Sequence, residues 1–138
     1  MKEYRWEDLH LGLKHGFSAS FTLEMVDHFA ALSGDSNPLH VDRDYALAAG
    51  FPSPVVFGMM TSTLYSQLVG VYLPGRYALL QGIDIDFNSP SHAGENLNVE
   101  GEITFMSEAF HRFEIKATIR RDDRKLVSKA KIRVGFHV

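Results

Sequence analysis

The 138-residue sequence contains no cysteine. That removes disulfides, thiolate nucleophiles and cysteine-bound metals. It also lacks any run of about 18 apolar residues, the length a membrane-crossing helix needs. Its seven histidines show no metal-ligand spacing such as His-Glu-x-x-His, so no metal is expected. There is no glycine-rich phosphate loop and no Gly-x-Ser-x-Gly nucleophile elbow. Positive charge is short as well: Lys and Arg number 14 against 17 Asp and Glu, giving a net charge of −3. An extended nucleic-acid footprint wants a basic face, so no nucleic-acid partner is expected. The opening residues Met1 to Asp8 are too charged for a secretory signal. A cytoplasmic protein without a membrane partner is the expectation.

What is present reads as one domain over residues 1–138, long enough to bury a core, with no repeat or low-complexity tract. Phe17, Ala19 and Phe21 alternate with polar residues as a strand ending at Thr22, a helix N-cap type. Met25, Val26, Phe29, Ala30 and Ser33 then follow helical spacing up to Gly34. Asp42 is placed to cap a second short helix that closes at Gly50.

After Phe51-Pro52-Ser53-Pro54, the segment from about Val55 to Val71 carries no charge, the pattern of a buried helix about 25 Å long. The second half is β-type. Ile83–Phe87, Leu97–Phe105, Arg112–Arg120 and Lys129–Phe136 alternate between apolar and polar positions, which predicts half-buried antiparallel strands whose apolar side includes Phe87 and Phe105. One uncharged helix followed by four such strands predicts an α+β fold with an antiparallel sheet wrapped around the helix.

The most informative stretch is Ser33-Gly34-Asp35-Ser36-Asn37-Pro38-Leu39-His40. On a continued helix, Asp35 and His40 would point roughly 140° apart. Pro38 prevents the continuation and biases Asn37 toward an extended conformation. The chain folds back, and carboxylate and imidazole can converge to handle the protons of one water molecule. Taken singly, Asp35 and Asn37 are also ordinary turn residues, and His40 an ordinary surface or core-capping histidine.

This block resembles the hydratase-2 motif of the MaoC-like dehydratases, the (R)-specific enoyl-CoA hydratases. The resemblance implies a hotdog fold and reversible hydration of a trans-2-enoyl thioester, carried by CoA or acyl carrier protein, with no cofactor. It extends to Pro54-Val55-Val56-Phe57-Gly58-Met59, where the family's glycine N–H serves as the oxyanion donor. Gly58 suits that role physically, since a residue without Cβ at a helix start lets a ligand approach the backbone. Phe57 stands where family members usually carry His, and is expected to narrow the pocket entrance. Ser66 matches a family serine that orients the catalytic carboxylate.

The resemblance therefore implies Asp35 and His40 as the water-handling pair and Gly58 as enolate stabiliser. Asn37 would position His40 or the water, and Ser66 would hydrogen-bond Asp35. Which member of the pair is acid and which is base stays open. A homodimer, or an assembly of dimers, follows from the same resemblance. Arg76, beside Pro74-Gly75, is read as a solvent-exposed turn residue.

Two other functions use the same fold. A hotdog thioesterase would attack the carbonyl carbon, usually with a carboxylate on the buried helix, and none occurs from Val55 to Val71. A non-catalytic acyl-thioester-binding module would be expected to lose Asp35 or His40, and both are present.

Overall fold

The computed structural model describes residues 1–137. In chain order the elements are β1 (Lys14–Ala19), α1 (Leu23–Ser33), α2 (Pro38–Val41), α3 (Arg43–Ala48), α4 (Gly58–Gln67), β2 (Ala78–Phe87), β3 (Leu97–Ser107), β4 (Arg112–Arg121) and β5 (Leu126–Phe136). A wide π-type turn, Leu68–Tyr72, continues α4. The strands form one antiparallel sheet in the order β1-β3-β4-β5-β2, leaving β1 and β2 as its edges.

The alternation along the strands sorts the sheet into two faces. Val99 and Ile103 on β3, Ile115, Ala117 and Ile119 on β4, and Ile132 and Val134 on β5 are buried against the helical layer. Their neighbours Lys116, Lys129, Lys131 and Arg133 stand on the wet face. Helix α4 and its extension lie on the dry side with Met60, Leu64, Tyr65, Leu68 and Val69 inward. Fully burying one such aliphatic side chain contributes about 1.5–3 kcal/mol, so this helix-on-sheet contact carries much of the stability. Gly101 on β3 sets the approach: a Cβ there would sit 2.6 Å from Leu68 Cδ2 and 2.9 Å from Ile115 Cγ2.

The helix ends follow from local chemistry. Thr22 Oγ1 accepts from the Met25 N–H at 3.2 Å, capping α1. Gly34, at φ 72°, closes it with its N–H on the Ala30 carbonyl. Asp42 caps α3 through the Tyr45 N–H at 3.0 Å.

Four expectations need correction. The first strand stops at Ala19, because the Phe21 carbonyl is taken by the Gly94 N–H instead of a ladder partner. The central helix begins at Gly58, not Val55: the Val55 N–H donates to Leu39 O and the Val56 N–H to Ser91 O, which holds that segment extended. That helix is not buried all round. Met59, Thr63, Ser66 and Gln67 form an exposed stripe along α4 in the single chain. Finally, Phe105 faces outward at 51% exposure, because a bulge between Ile103 and Phe105 pairs it with Glu114 and reverses the alternation. Among the described residues, no helix is long and apolar enough to cross a membrane.

Candidate active site

Pro38 breaks the chain as expected and then opens α2 as its first residue, a position where its missing N–H costs nothing. Two side chains build this corner. Asp35 Oδ1 accepts the Asn37 N–H at 3.0 Å, and Asn37 Oδ1 accepts the Leu39 N–H at 3.0 Å as the cap of α2. Asn37 therefore supports the turn that carries His40.

Two hydrogen bonds tie this turn to the segment entering α4. Leu39 O accepts the Val55 N–H at 3.1 Å. His40 Nδ1 lies 2.6 Å from the Val55 carbonyl oxygen. A carbonyl can only accept, so Nδ1 carries a proton, and in the neutral ring the lone pair lies on Nε2. Among the described residues Nε2 has no partner. The imidazole also stacks on Phe57, with ring centroids 4.1 Å apart and planes at 29°.

His40 and Gly58 line one cavity of about 250 Å³, together with Val55, Val56, Thr61, Phe87, Val127 and the loop Asn88–Ser91. Among the described residues no carboxylate, lysine or arginine lines it, and His40 is its one titratable side chain. Gly58 is the first residue of α4. The first intrahelical bond runs from the Thr61 N–H to Phe57 O. The N–H groups of Gly58, Met59 and Met60 thus precede the ladder, at the positive end of the helix dipole. The absence of a side chain at Gly58 has a local cause too, since a Cβ there would lie 3.1 Å from the Phe87 ring.

The other motif residues lie outside this lining. Asp35 is exposed on the turn, and among the described residues no hydrogen bond joins it to His40. Ser66 stands on the exposed stripe of α4, and the expected Ser66–Asp35 hydrogen bond is not formed in the single chain. Phe57 does not narrow the entrance. It is 2% exposed and forms the floor beneath His40.

Sequence reasoning missed the far wall. The Val56 N–H to Ser91 O bond (2.8 Å) and a bridge between Val55 and His92 fasten the 88–95 loop beside the start of α4. His92 Nδ1 adds contacts to Ser53 Oγ at 2.9 Å and Pro54 O at 3.1 Å. The Ser91 hydroxyl is buried with no partner among the described residues. The strand periodicity put Phe87 on the buried side, but it is 53% exposed and edges the cavity instead, and nothing in Ser91 or His92 marked either residue. Among the described residues no group of three His, Asp or Glu side chains is placed to hold a metal.

Comparison with known proteins bears on this arrangement. A model described as "MaoC like domain" matches residues 12–124. The chain is 37% identical over 102 residues to the (R)-specific enoyl-CoA hydratase of Aeromonas caviae, covering 74% of this chain and 76% of that protein. It is 27% identical over 113 residues to the 3-hydroxybutyryl-CoA dehydratase of Methylorubrum extorquens, covering 82% and 72%. Among solved structures, the (R)-hydratase from A. caviae superposes with a TM-score of 0.90 at 32% identity, covering 94% of this chain and 98% of that one. The unliganded R-hydratase PhaJ1 from Pseudomonas aeruginosa does so at 0.89 and 27% identity, covering 95% and 84%. The sheet-around-helix arrangement is thus the hotdog fold.

Proposed function

The chain belongs to the MaoC-like domain family, and from that premise we propose that it is an (R)-specific enoyl-CoA hydratase. It adds water reversibly across a trans-2-enoyl thioester to give the (R)-3-hydroxyacyl thioester. The observation that carries this reading is the shared cavity of His40 and Gly58, with a free imidazole nitrogen and a helix N-terminus on one small volume.

The chemistry follows from that placement. As the water oxygen bonds to C3, negative charge moves through C2 to the thioester oxygen. The Gly58 N–H and the helix dipole stabilise charge at that oxygen without a cation. His40 Nε2 faces the water, with Nδ1–H anchored on Val55 O. Asp35 is the second member of the pair, supported by its spacing to His40 in the motif and by an Oδ2 that the turn leaves free. The pair removes one proton from the water and returns one to C2, so its own charge is unchanged over a turnover. Asn37 holds the turn for His40, and Ser66 is the candidate partner of Asp35 once the site is complete. Substrate and water suffice, with no cofactor.

The cavity of about 250 Å³ is smaller than a drug-sized site, which favours short acyl chains. The exposed stripe of α4, exposed Met25 and Leu32 on α1, and the unpaired edge of β2 favour a homodimer of this one-domain, 138-residue unit. A cytoplasmic role in fatty-acid metabolism completes the proposal.

The test mixes purified protein with crotonyl-CoA and follows conjugated-enone absorbance alongside free thiol. Enone loss without thiol release is expected. Thiol release points instead to a thioesterase, and neither signal points to a binding module.

A further inference from the structure

The His40 ring is held in two independent directions. In its plane, the Nδ1–H to Val55 O bond at 2.6 Å fixes the edge that points away from the reacting water. That bond still lets the ring pivot about the line of contact. Perpendicular to the plane, Phe57 closes this freedom: its ring lies 4.1 Å from the imidazole centroid at 29°. Phe57 cannot drift. It is 2% exposed, Phe29 backs it at 5.0 Å, and its carbonyl accepts the first helical N–H, from Thr61. One residue before it, Val56 is pinned by its N–H to Ser91 O, and one residue after it comes Gly58.

We propose that Phe57 is a positioning residue for the hydration reaction. By stacking under His40 it sets the direction of the Nε2 lone pair into the cavity, and it keeps water from the rear face of the ring. The proposal rests on the hydratase reading above. Phe57 also binds the two halves of the site together, because the residue that orients the imidazole is the direct chain neighbour of the N–H aimed at the thioester oxygen. A phenyl ring has no proton to give or take, so its contribution is geometric. Small misplacements of a catalytic group cost rate more than affinity when the group acts on the transition state.

The test is Phe57→Leu, which keeps an apolar side chain and removes the flat ring. In crotonyl-CoA hydration it is expected to lower kcat about tenfold or more, with KM within about twofold. In a His40→Gln background the same substitution is expected to change the residual rate by less than about twofold, since nothing remains to be positioned. The His40 ring-proton resonances, shifted upfield by the stacked phenyl, are expected to move downfield in Phe57→Leu. A kcat within about twofold of wild type, or an equal loss in the His40→Gln background, overturns the proposal. If Phe57→Leu does not unfold cooperatively, Phe57→Met is read by the same criteria. Absent turnover by the wild-type protein rejects the hydratase reading, while the resonance comparison still decides whether Phe57 orients the imidazole.

Discussion

Replacing Gly58 by alanine and by proline separates the backbone N–H from the space around it. Alanine keeps the N–H and adds a Cβ that meets Phe87 Cδ1 and Cε1 at 3.1 Å and Cζ at 3.3 Å. The ring must yield by a few tenths of an ångström. Phe87 is 53% exposed, so it can move toward solvent, and the stability cost stays within about 1 kcal/mol. Proline adds the same Cβ crowding, and its ring Cδ replaces the N–H hydrogen. Its backbone cost is low, because Gly58 is the first residue of α4 and Phe57 already has ψ 133°. The ratio of the two variants therefore reads the replacement of the N–H at that position by a methylene. A single oxyanion donor is worth about 3 kcal/mol, so Gly58→Pro is expected to turn over crotonyl-CoA about 100-fold more slowly than Gly58→Ala. Thermal unfolding of both proteins checks that each is folded. Equal activity in two folded variants refutes the assignment of the oxyanion donor to Gly58.

Three further outcomes are expected. Ser91→Ala removes a buried hydroxyl that has no partner among the described residues, so stability measured by urea unfolding should hold or rise by up to about 1–2 kcal/mol; a loss above 1 kcal/mol would show a hydrogen bond there. Gly101→Ala drives a Cβ to within 2.6 Å of fully buried Leu68 and should destabilise by about 1–3 kcal/mol, with a cost under 0.5 kcal/mol contradicting the close helix–sheet approach. Tyr65, buried and donating its hydroxyl to Ser128 Oγ at 2.9 Å, has its pKa pushed up to about 12, chiefly by burial. Because the folded value lies above the unfolded one near 10, its contribution is whole below pH 10 and lost as pH rises toward 12. Tyrosinate absorbance should show a late step near 12 that Tyr65→Phe removes, and the lack of any such step would contradict that.

Much of the fold could be read from periodicity and caps. Strand β3 as far as Ile103, and most of β4 and β5, sit where two-residue alternation put them, since one buried face fixes the register there. Thr22, Gly34 and Asp42 bound their helices because each satisfies, or closes off, backbone groups of its own turn. The errors arose where distant partners overrode local pattern. Val55 and Val56 look helical by composition, but Leu39 and Ser91 claim their backbone groups. Phe105 lost its place to a bulge that no residue type announced. The open stripe on α4 escaped notice because an uncharged helix looks the same whether the sheet or a second chain covers it.

At the site, Asp35, Asn37, Pro38 and His40 were visible as a block, since the proline corner needs them adjacent in sequence. The Phe57 stack and the Ser91–His92 wall were not, because both depend on elements 15 or more residues away. The same gap explains the entrance expected of Phe57: the sequence shows that the residue is large and apolar, but not that α1 and α2 close over it.

The most direct test of the whole account is the crotonyl-CoA hydration rate of His40→Gln, Asp35→Asn and the double variant. Residues that handle one water's protons as a unit lose activity together. Each single change should therefore lower kcat by about 10³-fold or more, with the double variant little worse than either. Hydration persisting within about tenfold of wild type in either folded single variant would contradict it.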